Sequence, residues 1–167
     1  MLFAFTSALN PARKESAYLH LPTYTAGILY HTGTFTALGL FFLSVFFDIT
    51  PESMWRWIPV LLLSTGSLAG MAIFAKRIVH KPLRKLSVPD DYISNGLVTL
   101  FQIITALWLA GISDKSLFLL WGGIVGFYVP FGKLIHTVYF FAARIYLGLV
   151  FGHKGVWPVH KQSASNG

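Results

Sequence analysis

The chain has no cysteine among its 167 residues. That excludes disulfides, thiol chemistry and iron–sulfur ligation by its own side chains. Charge is scarce as well: 11% of residues are Asp, Glu, Lys or Arg, whereas soluble domains carry about a quarter. Acid is scarcer still, with six carboxylates against thirteen lysines and arginines. None of the six lies within a long apolar run, which argues against an ion-coupled transporter, since intramembrane acids mark such pathways. No internal repeat is visible either. Any redox centre held by this chain must therefore use histidine, or come from another subunit.

What is abundant is apolar surface. Hydrophobic residues make up 54% of the chain and aromatics 16%, with a mean hydropathy of +0.62. That is the balance of an integral membrane protein. The net charge of +7 reads as topology rather than as nucleic-acid binding, because the basic residues cluster between apolar segments.

Residues 1–24 hold two prolines and no run of spanning length. Met1 to Leu9 is apolar but short, and Arg13 and Lys14 follow it, on the wrong side for a signal peptide. This segment is expected along the membrane interface or against a partner. Four spans follow in a domain covering 25–151. The first is 25–47, long enough at ~1.5 Å per residue to cross a ~30 Å hydrocarbon core. The second is 57–75, entered through the interfacial Trp55 and Trp57. The third is 93–110. The fourth starts near Leu117 and continues through Pro130 as an apolar helix towards Gly148, its last part from about Ala142 lying along the inner interface. Between the second and third lies the most basic stretch, Lys76 to Lys85, followed by Asp90 and Asp91 at a helix start, where the macrodipole favours acid. Residues 152–167 form a polar tail.

With both termini cytoplasmic, every lysine and arginine except Arg56 and Lys115 falls inside, as the positive-inside rule requires. The expected architecture is an all-α, four-helix membrane bundle with both ends cytoplasmic.

Of six histidines, only His31 and His136 lie within spans. His20, His80, His153 and His160 read as solvated or headgroup-facing. On this topology both intramembrane imidazoles come to the inner leaflet. Two neutral imidazoles without a cysteine suit a six-coordinate b-type haem, whereas zinc would want a third ligand. Gly33, Gly66 and Gly70 are candidates for leaving room for a porphyrin, with Gly27 and Gly132 also close to the histidines. Lys133, Lys76 and Arg77 are candidate cations for its propionates. The alternative is that the two histidines bridge helices with no cofactor.

Three pieces then carry a resemblance: Ile28 to Gly33; Lys76 to Arg84 with Pro89 to Tyr92; and Pro130 to His136. Over residues 26–144 the chain resembles the gamma (cytochrome b) subunit of respiratory nitrate reductase and the haem b subunits of membrane-bound heterodisulfide reductase. The resemblance implies that His31 and His136 hold the haem nearer the cytoplasm. The family's other haem uses two positions occupied here by Phe41 and Phe118, neither of which can ligate iron. Its first transmembrane helix has no counterpart, so the chain resembles a shortened, single-haem member. The implied role is a prokaryotic cytoplasmic-membrane subunit passing electrons between a membrane quinone-type carrier and cytoplasmic iron–sulfur or catalytic subunits, with no substrate catalysis of its own. The basic stretch would serve as a docking face or bind lipid headgroups. For the quinone, Arg56 lies roughly where the family places a basic residue, and is otherwise an interfacial arginine. Gln102, in mid-span, is a further polar candidate and otherwise an interhelical hydrogen bond.

Overall fold

The computed structural model describes residues 21–47 and 54–153. Expectations that fall on residues 1–20, on 154–167 or on the side chain of His153 lie outside the described residues. In order come α1 (Leu21–Phe47), a 3-10 turn (Met54–Arg56), α2 (Trp57–Val79), α3 (Lys81–Leu86), α4 (Pro89–Leu109), α5 (Lys115–Tyr128) and α6 (Ile135–His153). All described regular structure is helical. The chain divides into two compact units after Leu134, and each is described by itself.

Three stretches, Leu21–Phe47, Met54–Val79 and Pro89–Leu109, are long and apolar enough to cross a membrane. They mark a multi-pass membrane protein. Around an apolar core, the unit also buries several polar side chains and turns much of its apolar surface outward. Gln102, Thr105, Thr99, Ser67 and Ser44 are buried, while Phe46, Phe47, Phe127 and Phe131 stand more than two-thirds exposed. Apolar groups pointing outward and small or polar groups at the helix contacts are what lipid as solvent selects.

The helices run up, down, up, down. α1 and α2 are antiparallel, since the Lys76 amine donates to Thr23 Oγ1 (2.5 Å) at one end while Gly33 and Gly66 meet further along. α4 returns alongside: Arg77 pairs with Asp91 and Phe74 packs edge-on against Tyr92. α5 comes back against α4 through the Trp121 indole N–H, which donates to the Leu97 carbonyl (3.1 Å). Phe101, Phe118, Leu63 and Ala37 form the centre of the core.

Two boundaries differ from the sequence reading. α1 starts four residues earlier than expected, because Pro22 falls in its first turn, where the missing N–H costs nothing. The basic stretch is not a loop. α2 runs through Lys76 and Arg77 to Val79, His80 alone is extended, and α3 begins at Lys81 with Pro82 in its first turn.

The fourth span requires a correction. The expected continuous helix through Pro130 is broken: α5 stops at Tyr128, and a turn occupies 129–134 before α6. Pro130 has no N–H to give, and the amides of Phe131 and Gly132 both fold back onto the Tyr128 carbonyl at 3.1 Å. Gly132 sits under the Tyr128 ring, where a side chain would collide. α5 alone covers only ~21 Å at 1.5 Å per residue.

Candidate functional site

The end of the unit that carries the N-terminus of α1 and α4 and the C-terminus of α2 and α5 gathers its polar groups around two carboxylates. Asp91, in the first turn of α4, accepts the Val88 amide (3.0 Å), capping its own helix. It also takes the Arg77 guanidinium (3.0 Å) from α2 and the Lys133 amine (2.7 Å) from the turn after α5. Asp90 accepts the Lys133 backbone N–H (2.7 Å) and the Tyr128 hydroxyl. Two adjacent acids thus clasp three segments. The sequence alone expects these acids to serve the helix dipole and makes Lys133, Lys76 and Arg77 candidates for haem propionates. Here Lys133 and Arg77 are engaged by Asp91, and Lys76 by Thr23. The pairing leaves one signal in the sequence: acids at a helix start, opposite basic residues that end a neighbouring span.

Gly33, Gly66 and Gly70 are helix contacts. A Cβ on Gly33 would lie 2.6 Å from Gln102 Oε1 and 3.1 Å from the Cα of Gly66. On Gly66 it would lie 2.6 Å from the same oxygen, and on Gly70 2.6 Å from Thr99 Oγ1 and Tyr30 Cε2. The space beside these glycines is filled by Gln102, Tyr30 and Thr99.

Gln102 is the interhelical bridge that was one of its two readings. Its Nε2 donates to the Tyr30 carbonyl (3.1 Å) and to Thr34 Oγ1 (2.9 Å). The amide orientation follows from chemistry: the carbonyl can only accept, and the Thr34 hydroxyl already donates to that carbonyl (2.8 Å). Gln102 Oε1, buried and without a hydrogen-bond partner, is thereby aimed at the two glycines.

His31 lies ten residues into α1, on a different face from these contacts. Its imidazole is exposed on the flank of the helix, tilted against Tyr30 (5.9 Å between ring centroids) and stacked on Phe35 (6.3 Å). Gly27, one turn before it, has open space where a side chain would be. His136 is the second residue of α6, also exposed, and belongs to the other unit. His80 is exposed between α2 and α3. Among the described residues, no three His, Asp or Glu side chains gather as a metal site.

Phe41 and Phe118 meet edge to face, 6.0 Å between centroids. Phe118 stacks in turn on Trp108 (4.3 Å) and Phe101 (6.1 Å), and Phe41 lies over Gly122, where a Cβ would collide with its ring. Phe41, Phe101, Trp108 and Phe118 thus form one aromatic cluster. Arg56, in the 3-10 turn, sits over the Trp57 indole at 5.3 Å, beside exposed Trp55, as an interfacial anchor does. An apolar groove of about 650 Å³ between α1 and α2 lies towards the opposite end from Arg56, lined by Leu21, Thr25, Leu29, Thr65, Leu68 and Ala72 among others.

No family model, curated protein or solved structure matches this chain.

Proposed function

We propose that the protein is a membrane-anchoring cytochrome b subunit, with both termini cytoplasmic, in a prokaryotic respiratory complex. One haem b, axially held by His31 and His136, would relay electrons between a quinone-type carrier and cytoplasmic iron–sulfur subunits. The observation that carries this reading is the register of α1 against α5. In the resembled subunits the positions of Phe41 and Phe118 hold one haem from two sides, so they must face each other, and here their rings touch. His31, ten residues before Phe41, supports it further: an imidazole inside an apolar helix. α5 with the turn that follows it would make the fourth crossing.

Haem supplies one-electron chemistry at a potential set by its axial ligands and their surroundings. The chain's own part is to present neutral imidazoles, exclude water with its apolar helices, and fix the end of the bundle nearest the partner through the Asp90–Asp91 clasp. Arg56 remains the candidate for the quinone. Substrate chemistry would belong to the partner.

A second reading, a haem-free anchor or assembly subunit, is favoured by the interior packing. Gly33, Gly66 and Gly70 are fully used by helix contacts, as they would be in a chain with no cofactor to house. A pyridine haemochrome assay on the purified protein, with His31→Ala and His136→Ala beside it, separates the two. The cytochrome reading expects one haem per chain, lost in both variants while the helical circular dichroism is kept. Haem surviving either change refutes that ligand. No haem in the assembled complex leaves the anchor.

A further inference from the structure

α3 has six residues, and its sequence Lys-Pro-Leu-Arg-Lys-Leu sorts cleanly around the helix. At ~100° per residue, Lys81, Arg84 and Lys85 share one arc, and Pro82, Leu83 and Leu86 share the arc opposite. Neither arc is covered. Leu86 is 81% exposed and Leu83 37%, and they continue an apolar surface from Val79 (79%) and Ile78 (45%) at the end of α2. The three cations are exposed too, and among the described residues no carboxylate pairs with them: Asp91 is already held by Arg77 and Lys133, and Asp90 by Tyr128 and the Lys133 amide.

We infer that α3 is an interfacial helix that binds the headgroups of anionic phospholipids. One residue, His80, separates it from α2, a candidate membrane span, so α3 starts at the depth where α2 leaves the hydrocarbon. There the leucines lie against the acyl boundary, and the lysines and arginine meet phosphates. In water the same leucines would be exposed without compensation. A purely ionic contact with a protein would have no use for them, whereas an anionic bilayer surface satisfies both arcs at once. The inference rests on the membrane placement of α2 and not on haem.

The absence of native cysteine allows one nitroxide at a time, at Leu86→Cys or Lys85→Cys, in the full chain reconstituted in nanodiscs of equal phosphatidylcholine and phosphatidylglycerol. Power saturation should find the label at residue 86 accessible to oxygen and shielded from an aqueous nickel chelate, and the reverse at residue 85. Spin-labelled phosphatidylglycerol should be held at the protein surface in preference to spin-labelled phosphatidylcholine. Neutralising the helix with Lys81→Gln, Arg84→Gln and Lys85→Gln, all exposed positions that keep helix propensity, should abolish most of that preference, since each charge lost is worth roughly fivefold. A label at residue 86 that reads as aqueous, or a lipid preference that survives neutralisation, overturns the proposal.

Discussion

Gly33→Ala should destabilise the bundle, and the loss should depend on Gln102. The new Cβ would lie 2.6 Å from Gln102 Oε1, 3.1 Å from its Cδ and 3.1 Å from the Cα of Gly66. Two of the three clashes are with one side chain. That side chain cannot swing away without giving up its bonds to the Tyr30 carbonyl and Thr34 Oγ1. Overpacking of this kind costs about 1–3 kcal/mol, and alanine in place of glycine returns about 1 kcal/mol of helix propensity, so the net loss is at most about 2 kcal/mol. Gln102→Ala by itself loses two interhelical hydrogen bonds, worth about 0.6 kcal/mol each in a membrane protein, and adds a cavity penalty. In the double variant the Gln102 clashes vanish and the methyl enters the space the glutamine left. The overpacking cost should then largely disappear while the propensity gain stays, giving a coupling of about 1–3 kcal/mol in a double-mutant cycle. The assay is unfolding by SDS in mixed micelles, followed by the five tryptophans. Costs that add to within about 0.5 kcal/mol would refute the idea that Gln102 is what fills the space beside Gly33.

The clasp gives a graded series. Asp91→Ala removes a helix cap worth about 1 kcal/mol together with two ion pairs, and should be the more destabilising in the same assay. Asp91→Asn keeps an oxygen for the Val88 amide and should lose only the ionic part, about 1 kcal/mol because both cations are partly exposed. Equal losses would show that the charge, not the cap, matters. Gly122→Ala would drive a methyl into the Phe41 ring and should loosen α1 from α5. The check is the near-ultraviolet circular dichroism of the aromatic cluster, which should weaken while the far-ultraviolet helical signal stays.

The spans were legible because length and hydropathy are local properties. Each of the three long helices needed only its own run of apolar residues and its flanking charges. The mid-span amide of Gln102 was legible for the same reason, since an amide inside an apolar helix must find a partner nearby. What could not be read were choices between partners on different helices. Lys133 was equally able to face a propionate or Asp91, and only the fold brings α4's first turn under the turn after α5. The three glycines posed the same ambiguity. A missing side chain invites either a flat ligand or another backbone, and here Gly33 and Gly66 were given to each other. Pro130 was different, because its chemistry was visible and was outweighed in the reading by the apolar run around it. Hydropathy measures what a segment is dissolved in, whereas a proline and a glycine two residues apart decide whether it stays one helix. That break bears directly on the proposed ligand. His136 stands two residues into a new helix rather than at the end of a continuous fourth span. The turn before it is set by Asp90 holding the Lys133 amide and the Tyr128 hydroxyl.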